Sequence, residues 1–71
     1  MYSATGTSTV GSNNLAITVD TGYTVVNFYA TVDLRARTND KFLVSATTVD
    51  WTETLGTGGL GMVLRVLAIQ D

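Results

Sequence analysis

Apolar and polar residues alternate one by one along much of this chain, the periodicity of a β-strand with one buried face. Leu15, Ile17 and Val19 alternate with Ala16, Thr18 and Asp20, which predicts a strand over 15–20. The longest alternation puts Val26, Phe28, Ala30, Val32, Leu34 and Ala36 on one face. Asn27, Tyr29, Thr31, Asp33, Arg35 and Arg37 fall on the other, which predicts a strand over 23–37. Helical spacing would scatter both sets around a cylinder, and the β-branched and aromatic content agrees with strand. Asp20-Thr21-Gly22 supplies a turn between these segments, since Asp can hydrogen-bond its own backbone and Gly admits a positive φ. Thr38-Asn39-Asp40 is the next turn, and a third strand covers 41–51 with Phe42, Val44 and Ala46 inward. An odd-length loop there pairs Ala36 with Phe42, Leu34 with Val44 and Val32 with Ala46, which buries more apolar surface than a two-residue loop. The apolar phase then shifts to Val49 and Trp51, so a bulge near Thr47-Thr48 is expected to bend the strand.

Thr52 to Gly59, TETLGTGG, reads as a loop, and 60–70 as an almost unbroken apolar run. Leu60, Val63, Leu64, Leu67 and Ala68 would also line one face of a helix. The β-branched Val63, Val66 and Ile69 and the surrounding strands favour a fourth strand, buried on both faces and needing a partner to cover the second. Residues 1–14 carry only Tyr2 and Val10 as sizeable apolar groups and read as an arm that those two side chains would anchor on another subunit. The expectation is one all-β domain over 1–71, a small antiparallel sandwich or barrel of about four main strands with a flexible N-terminal arm. Short loops make its first three strands a meander.

Composition sharpens this. A chain of 71 residues can bury only about 60% of its unfolded surface. Cys and His are both absent, so disulfides and the usual metal staples are unavailable, and oligomerisation is the remaining support. Thirteen threonines and a charged fraction of 14% leave sheet edges lightly guarded, because Lys and Pro, the usual edge blockers, number one and zero. The net charge is −2 with Arg35, Arg37, Lys41 and Arg65 as the cations, too few for a phosphate-binding stripe, so nucleic acid is not an expected partner. No run reaches the ~20 apolar residues of a membrane span and the first residues lack a signal-peptide pattern, so a soluble, unexported chain is expected.

The candidate chemistry is sparse. Gly56-Thr57-Gly58-Gly59-Leu60-Gly61 matches a dinucleotide-binding glycine pattern, yet too little chain follows to supply the acidic residue that binds a ribose, so no cofactor is expected. Asp50 and Glu53 are the closest carboxylates, but a domain this small hardly forms a catalytic cleft, and the spacing of a calcium loop is missing. No catalytic or metal-binding residue is therefore assigned.

Contact surfaces are the better reading. Tyr23 and Tyr29 share the non-core face of the second strand and, with Trp51, suit a protein interface or a sugar platform. Arg35 and Arg37 on that face suit bidentate pairing across an interface. Val63, Leu67 and Ile69 are the expected apolar contacts, and Arg65 in their midst, if the run is buried, must meet a carboxylate or carbonyls, with Asp33, Asp50 or Asp71 of this or another chain as candidates. A Ser/Thr/Gly segment, TSTVGSNN, followed by a Thr/Val-rich β domain without Cys or His resembles the small virion proteins of tailed bacteriophages, of the capsid decoration or cement and fibre-module type. The resemblance implies a structural, non-enzymatic homo-oligomer, with a trimer favoured, assembled in the host cytoplasm and seated in the virion on the major capsid protein or another virion protein. The rival reading is a small lectin-like module that binds a glycan or a protein.

Overall fold

A computed structural model describes residues 2–7, 13–54 and 61–71, and every regular element among them is a strand. The strands are β1 (Tyr2–Thr7), β2 (Asn14–Thr18), β3 (Tyr23–Val32), β4 (Arg35–Ala36), β5 (Lys41–Val44), β6 (Thr48–Thr52) and β7 (Met62–Gln70). They form a four-stranded sheet in the order β1-β7-β3-β4 and a three-stranded sheet in the order β2-β6-β5, all neighbours antiparallel. The all-β antiparallel architecture follows from the alternation in the sequence, and Met62–Gln70 is strand where helix was the alternative. Val10 and most of the glycine-rich run lie outside the described residues.

The core lies between the sheets. Met62, Leu64, Val66 and Ala68 of β7 are almost fully buried against Val49 and Trp51 of β6, with Val19, Ala30 and Val32 completing the buried set. Tyr2, Leu15, Ile17, Tyr23, Val25, Phe28 and Phe42 pack around it. Phe42 stacks on Trp51 with ring centroids 6.1 Å apart and contacts Phe28 at 4.9 Å. Gly6 lets β1 close over the other sheet, because a Cβ there would stand 3.1 Å from Ile17 Cδ1.

Strand pairing departs from the sequence expectation in several places. The first three strands are no meander: β2 pairs with β6, and β3 with β7. The turn at Asp20–Gly22 forms, with Tyr23 N–H donating to Asp20 O at 3.2 Å and Gly22 at φ 90°. It carries the chain from one sheet to the other. The expected pairs of Ala36, Leu34 and Val32 with residues 42–46 do not occur, since β3 and β5 lie in different sheets.

The segment 23–37 is also not one strand. Asp33 and Leu34, at φ 51° and 67°, make a two-residue turn that sets Val32 opposite Arg35 and Thr31 opposite Ala36. Cross-strand partners share a face, so the apolar phase read through Val32, Leu34 and Ala36 ends at Val32. A second shift, a bulge between Val25 and Asn27, turns Val25 and Tyr23 inward and leaves Val26 half exposed.

The segment 41–51 is two strands. The phase change near Thr47-Thr48 marks a hairpin rather than a bulge, and its turn is closed by Ser45 N–H to Thr48 O at 2.9 Å. Ser45 Oγ accepts from the amides of Thr47 and Thr48 at 3.3 and 3.1 Å, the local side-chain bonding that serine offers turns.

Residues 1–14 are not an arm throughout. Tyr2–Thr7 is an edge strand whose every second residue faces the core, in register with β7 from Tyr2 opposite Ala68 to Thr7 opposite Val63. The pairing needs no large side chains. Ser, Thr, Ala and Gly satisfy the backbone ladder while β7 supplies the apolar surface.

Candidate functional site

Three polar or apolar constellations stand out, and their surroundings decide what each can do. The first lies at the rim of the core beside β4 and β5. Asp40 is buried; its carboxylate accepts from Arg37 Nε at 3.0 Å, Arg37 Nη2 at 2.6 Å, Trp51 Nε1 at 2.9 Å and Thr54 Oγ1 at 2.8 Å. The Arg37 guanidinium, helped by Trp51 and Thr54, holds the Asp40 carboxyl well below the usual carboxylate range, against the opposing effect of burial. Its lone pairs are occupied, so it closes the end of the sandwich and offers little to a ligand. Arg37 therefore belongs to this cluster and not to the solvent face assigned to it from the alternation. Trp51 is fully buried and is no interface or sugar-stacking residue. In the sequence Asp40 was visible only as a turn residue; the i, i+3 spacing of Arg37 and Asp40 was the one available signal.

The second constellation is the outer face of the three-stranded sheet. Asn14 Nδ2 donates to Asp50 Oδ1 at 2.6 Å and to Thr52 Oγ1 at 3.2 Å, and the Thr18 and Thr48 hydroxyls are 3.0 Å apart. Asp50 faces outward here while Glu53 is buried, so these two carboxylates do not form an acid–base pair.

The third is the outer face of the four-stranded sheet. Register sets its rows: Thr7, Val63 and Thr31; Thr5, Arg65 and Tyr29; Ser3, Leu67 and Asn27; then Ile69 with Thr24. Ile69 and Tyr29 are exposed, Val63 and Leu67 half-buried, and Val26 and Leu34 add exposed apolar surface nearby. A shallow hollow of about 300 Å³ is lined by Thr5, Tyr29, Thr31, Leu34, Val63 and Arg65. The structure thus brings Tyr29, Val63, Leu67 and Ile69 onto one surface.

It separates the other sequence candidates from them. Tyr23 turns inward through the bulge and packs on Tyr2 with ring centroids 4.9 Å apart, so both flank the core instead of presenting a contact surface. Burial and the neighbouring Asp20 carboxylate push the Tyr2 hydroxyl up from its ordinary value. Arg35 is exposed on the short edge strand β4, opposite Val32. Leu34 was missed as a surface group, because the unbroken alternation placed it in the core, whereas Asp33 is exposed as its place on the outer face implied. No protein-family model matches this chain, and no curated protein or solved structure matches it either.

Proposed function

We propose that this chain is a structural, non-enzymatic assembly subunit, a capsid decoration or cement protein of a virion, that works through the outer face of its four-stranded sheet. One observation carries the reading: the central strand of that sheet presents Val63, Leu67 and Ile69 outward, beside exposed Tyr29, Val26 and Leu34. Contiguous apolar surface of this kind is the mark of a contact site in a small domain. The virion assignment draws its support from the sequence resemblance, and the apolar face supplies the contact such a subunit requires. A lectin-like role loses its platform, since Trp51 and Tyr23 do not accompany Tyr29 on the surface.

The test uses Leu67→Thr, which places a strand-compatible β-branched residue at a half-exposed strand position and removes the apolar contact. Purified particles should carry the wild-type chain, and the variant should show about tenfold weaker attachment with its melting temperature nearly unchanged. Absence of the wild-type chain from particles, or full occupancy by the variant, would overturn the reading.

A further inference from the structure

Leu34 is the least comfortable residue in the described structure. It is 93% exposed, and its φ of 67° is one that a branched apolar residue rarely adopts. It sits at the second position of a two-residue hairpin turn, where Gly or Asn would relieve the strain and improve solubility. Among the described residues no packing buries a leucine there. A knob that is both strained and exposed makes sense when a contact outside the chain uses it.

A site fitting such a knob lies on the same face. The hollow beside Val63, Tyr29 and Arg65 is apolar at its walls and cationic at one side. Arg37–Asp40 is the only ion pair among the described residues, so Arg65 has no carboxylate partner there. Of the exposed or outward acids, Asp50 faces outward on the opposite sheet, and Asp20 lies in the turn before β3, beside the Tyr2 hydroxyl. Asp71 is held at the far end of β3, where it accepts from the Thr24 hydroxyl and its amide donates to Gly22 O at 2.8 Å. Asp33, exposed and adjacent to Leu34, remains.

We infer that the Asp33–Leu34 tip of one copy of this chain docks on a second copy, Leu34 entering the hollow and Asp33 facing Arg65. The charge complementarity is within the chain's own surface: a carboxylate next to an apolar knob, and a guanidinium next to an apolar hollow. Knob and hollow lie side by side, and Leu34 itself forms the hollow's rim, so copies related by a rotation axis near the tip would each offer both halves of the contact. The inference rests on the reading that the chain acts by assembly and adds the contact through which copies find each other.

Sedimentation of the full chain tests it. Wild type should be a dimer or trimer at micromolar concentration, weakened by added salt. Leu34→Asn should melt at or above the wild-type temperature and associate about tenfold more weakly or worse. Asp33→Lys and Arg65→Asp should each dissociate the oligomer, and the double variant should restore it. A monomeric wild type, or undiminished association of Leu34→Asn, or no rescue in the double variant, overturns the inference. Wild-type association by Leu34→Asn together with loss in Leu67→Thr would refute the tip and leave the outer-face reading standing. Tip-dependent association of a chain absent from particles would do the reverse.

Discussion

On the three-stranded sheet the outward residues of β2 and β6 are Asn14, Ala16, Thr18, Thr48, Asp50 and Thr52, tied by an amide-to-carboxylate bond of 2.6 Å and a hydroxyl pair at 3.0 Å. On the four-stranded sheet the same ladder geometry carries Val63, Leu67 and Ile69 down its central strand, with Arg65 among them lacking an acid. Both sheets bury their inner faces on the same core, so burial within the chain cannot explain the difference. The first face ties the polar groups of β2 and β6 to one another, with Leu43 of β5 its exposed apolar residue opposite Asp50. The second keeps more apolar surface and a guanidinium without an acid beside it, the composition on which the proposed contact rests.

The largest expected effect comes from between the sheets and separates folding from either face. Asp40→Ala removes the acceptor of Arg37, Trp51 Nε1 and Thr54 together, and leaving a buried pair broken costs about 3 kcal/mol or more. The melting temperature should fall by ~12 °C or more at ~4 °C per kcal/mol. Acid should mimic the change. The Asp40 carboxyl is held below its unfolded value of about 3.9, so its contribution is fully present above that pH and is lost as pH falls through the lower range. Trp51 fluorescence followed against pH reports the step directly. A flat stability profile between pH 5 and pH 2 would show that the cluster does not support the fold.

Gly6→Val is expected to act next in size, and it sharpens the comparison at the edge where the apolar sheet begins. The new side chain would meet Ile17 where even a Cβ stands at 3.1 Å, and overpacking of this kind costs about 1–3 kcal/mol. Loss of amide-exchange protection in both β1 and β7 is the expected signature. A variant as stable as wild type would return Tyr2–Thr7 to the status of an arm.

How much of this was legible follows from the range of each interaction. Alternation and β-branched content are local, and they sufficed for the all-β class, for the strand at Met62–Gln70 and for the turn at Asp20–Gly22. Sheet partners are not local. Leu15 opposite Trp51 and Tyr29 opposite Arg65 join residues 36 apart, and no periodicity distinguishes them from the nearer pairings of a meander. The two-residue turn at Asp33–Leu34 lacks the glycine that announces such turns, so alternation ran straight through it and assigned Leu34, Ala36 and Arg37 to the wrong surroundings. The outward placement of Val63, Leu67 and Ile69 was recognisable because an apolar run longer than one buried face demands was visible in the sequence itself.

The smallest expected effect lies on the finished face and asks whether apolar surface alone makes a contact site. Thr18→Val with Thr48→Val replaces the hydroxyl pair by two methyl groups of similar size at exposed, paired strand positions. Removing both partners of a hydrogen bond together leaves nothing unsatisfied, so stability should change by less than about 0.5 kcal/mol. The three-stranded sheet then carries an apolar pair beside the exposed Leu43, yet it has no strained knob and no unpaired guanidinium beside it. The doubly substituted chain should keep the wild-type sedimentation profile, and in the Leu34→Asn background it should not regain association. If it does associate through the altered face, hydrophobic area is sufficient, and the contrast between the two faces reduces to the number of exposed methyl groups.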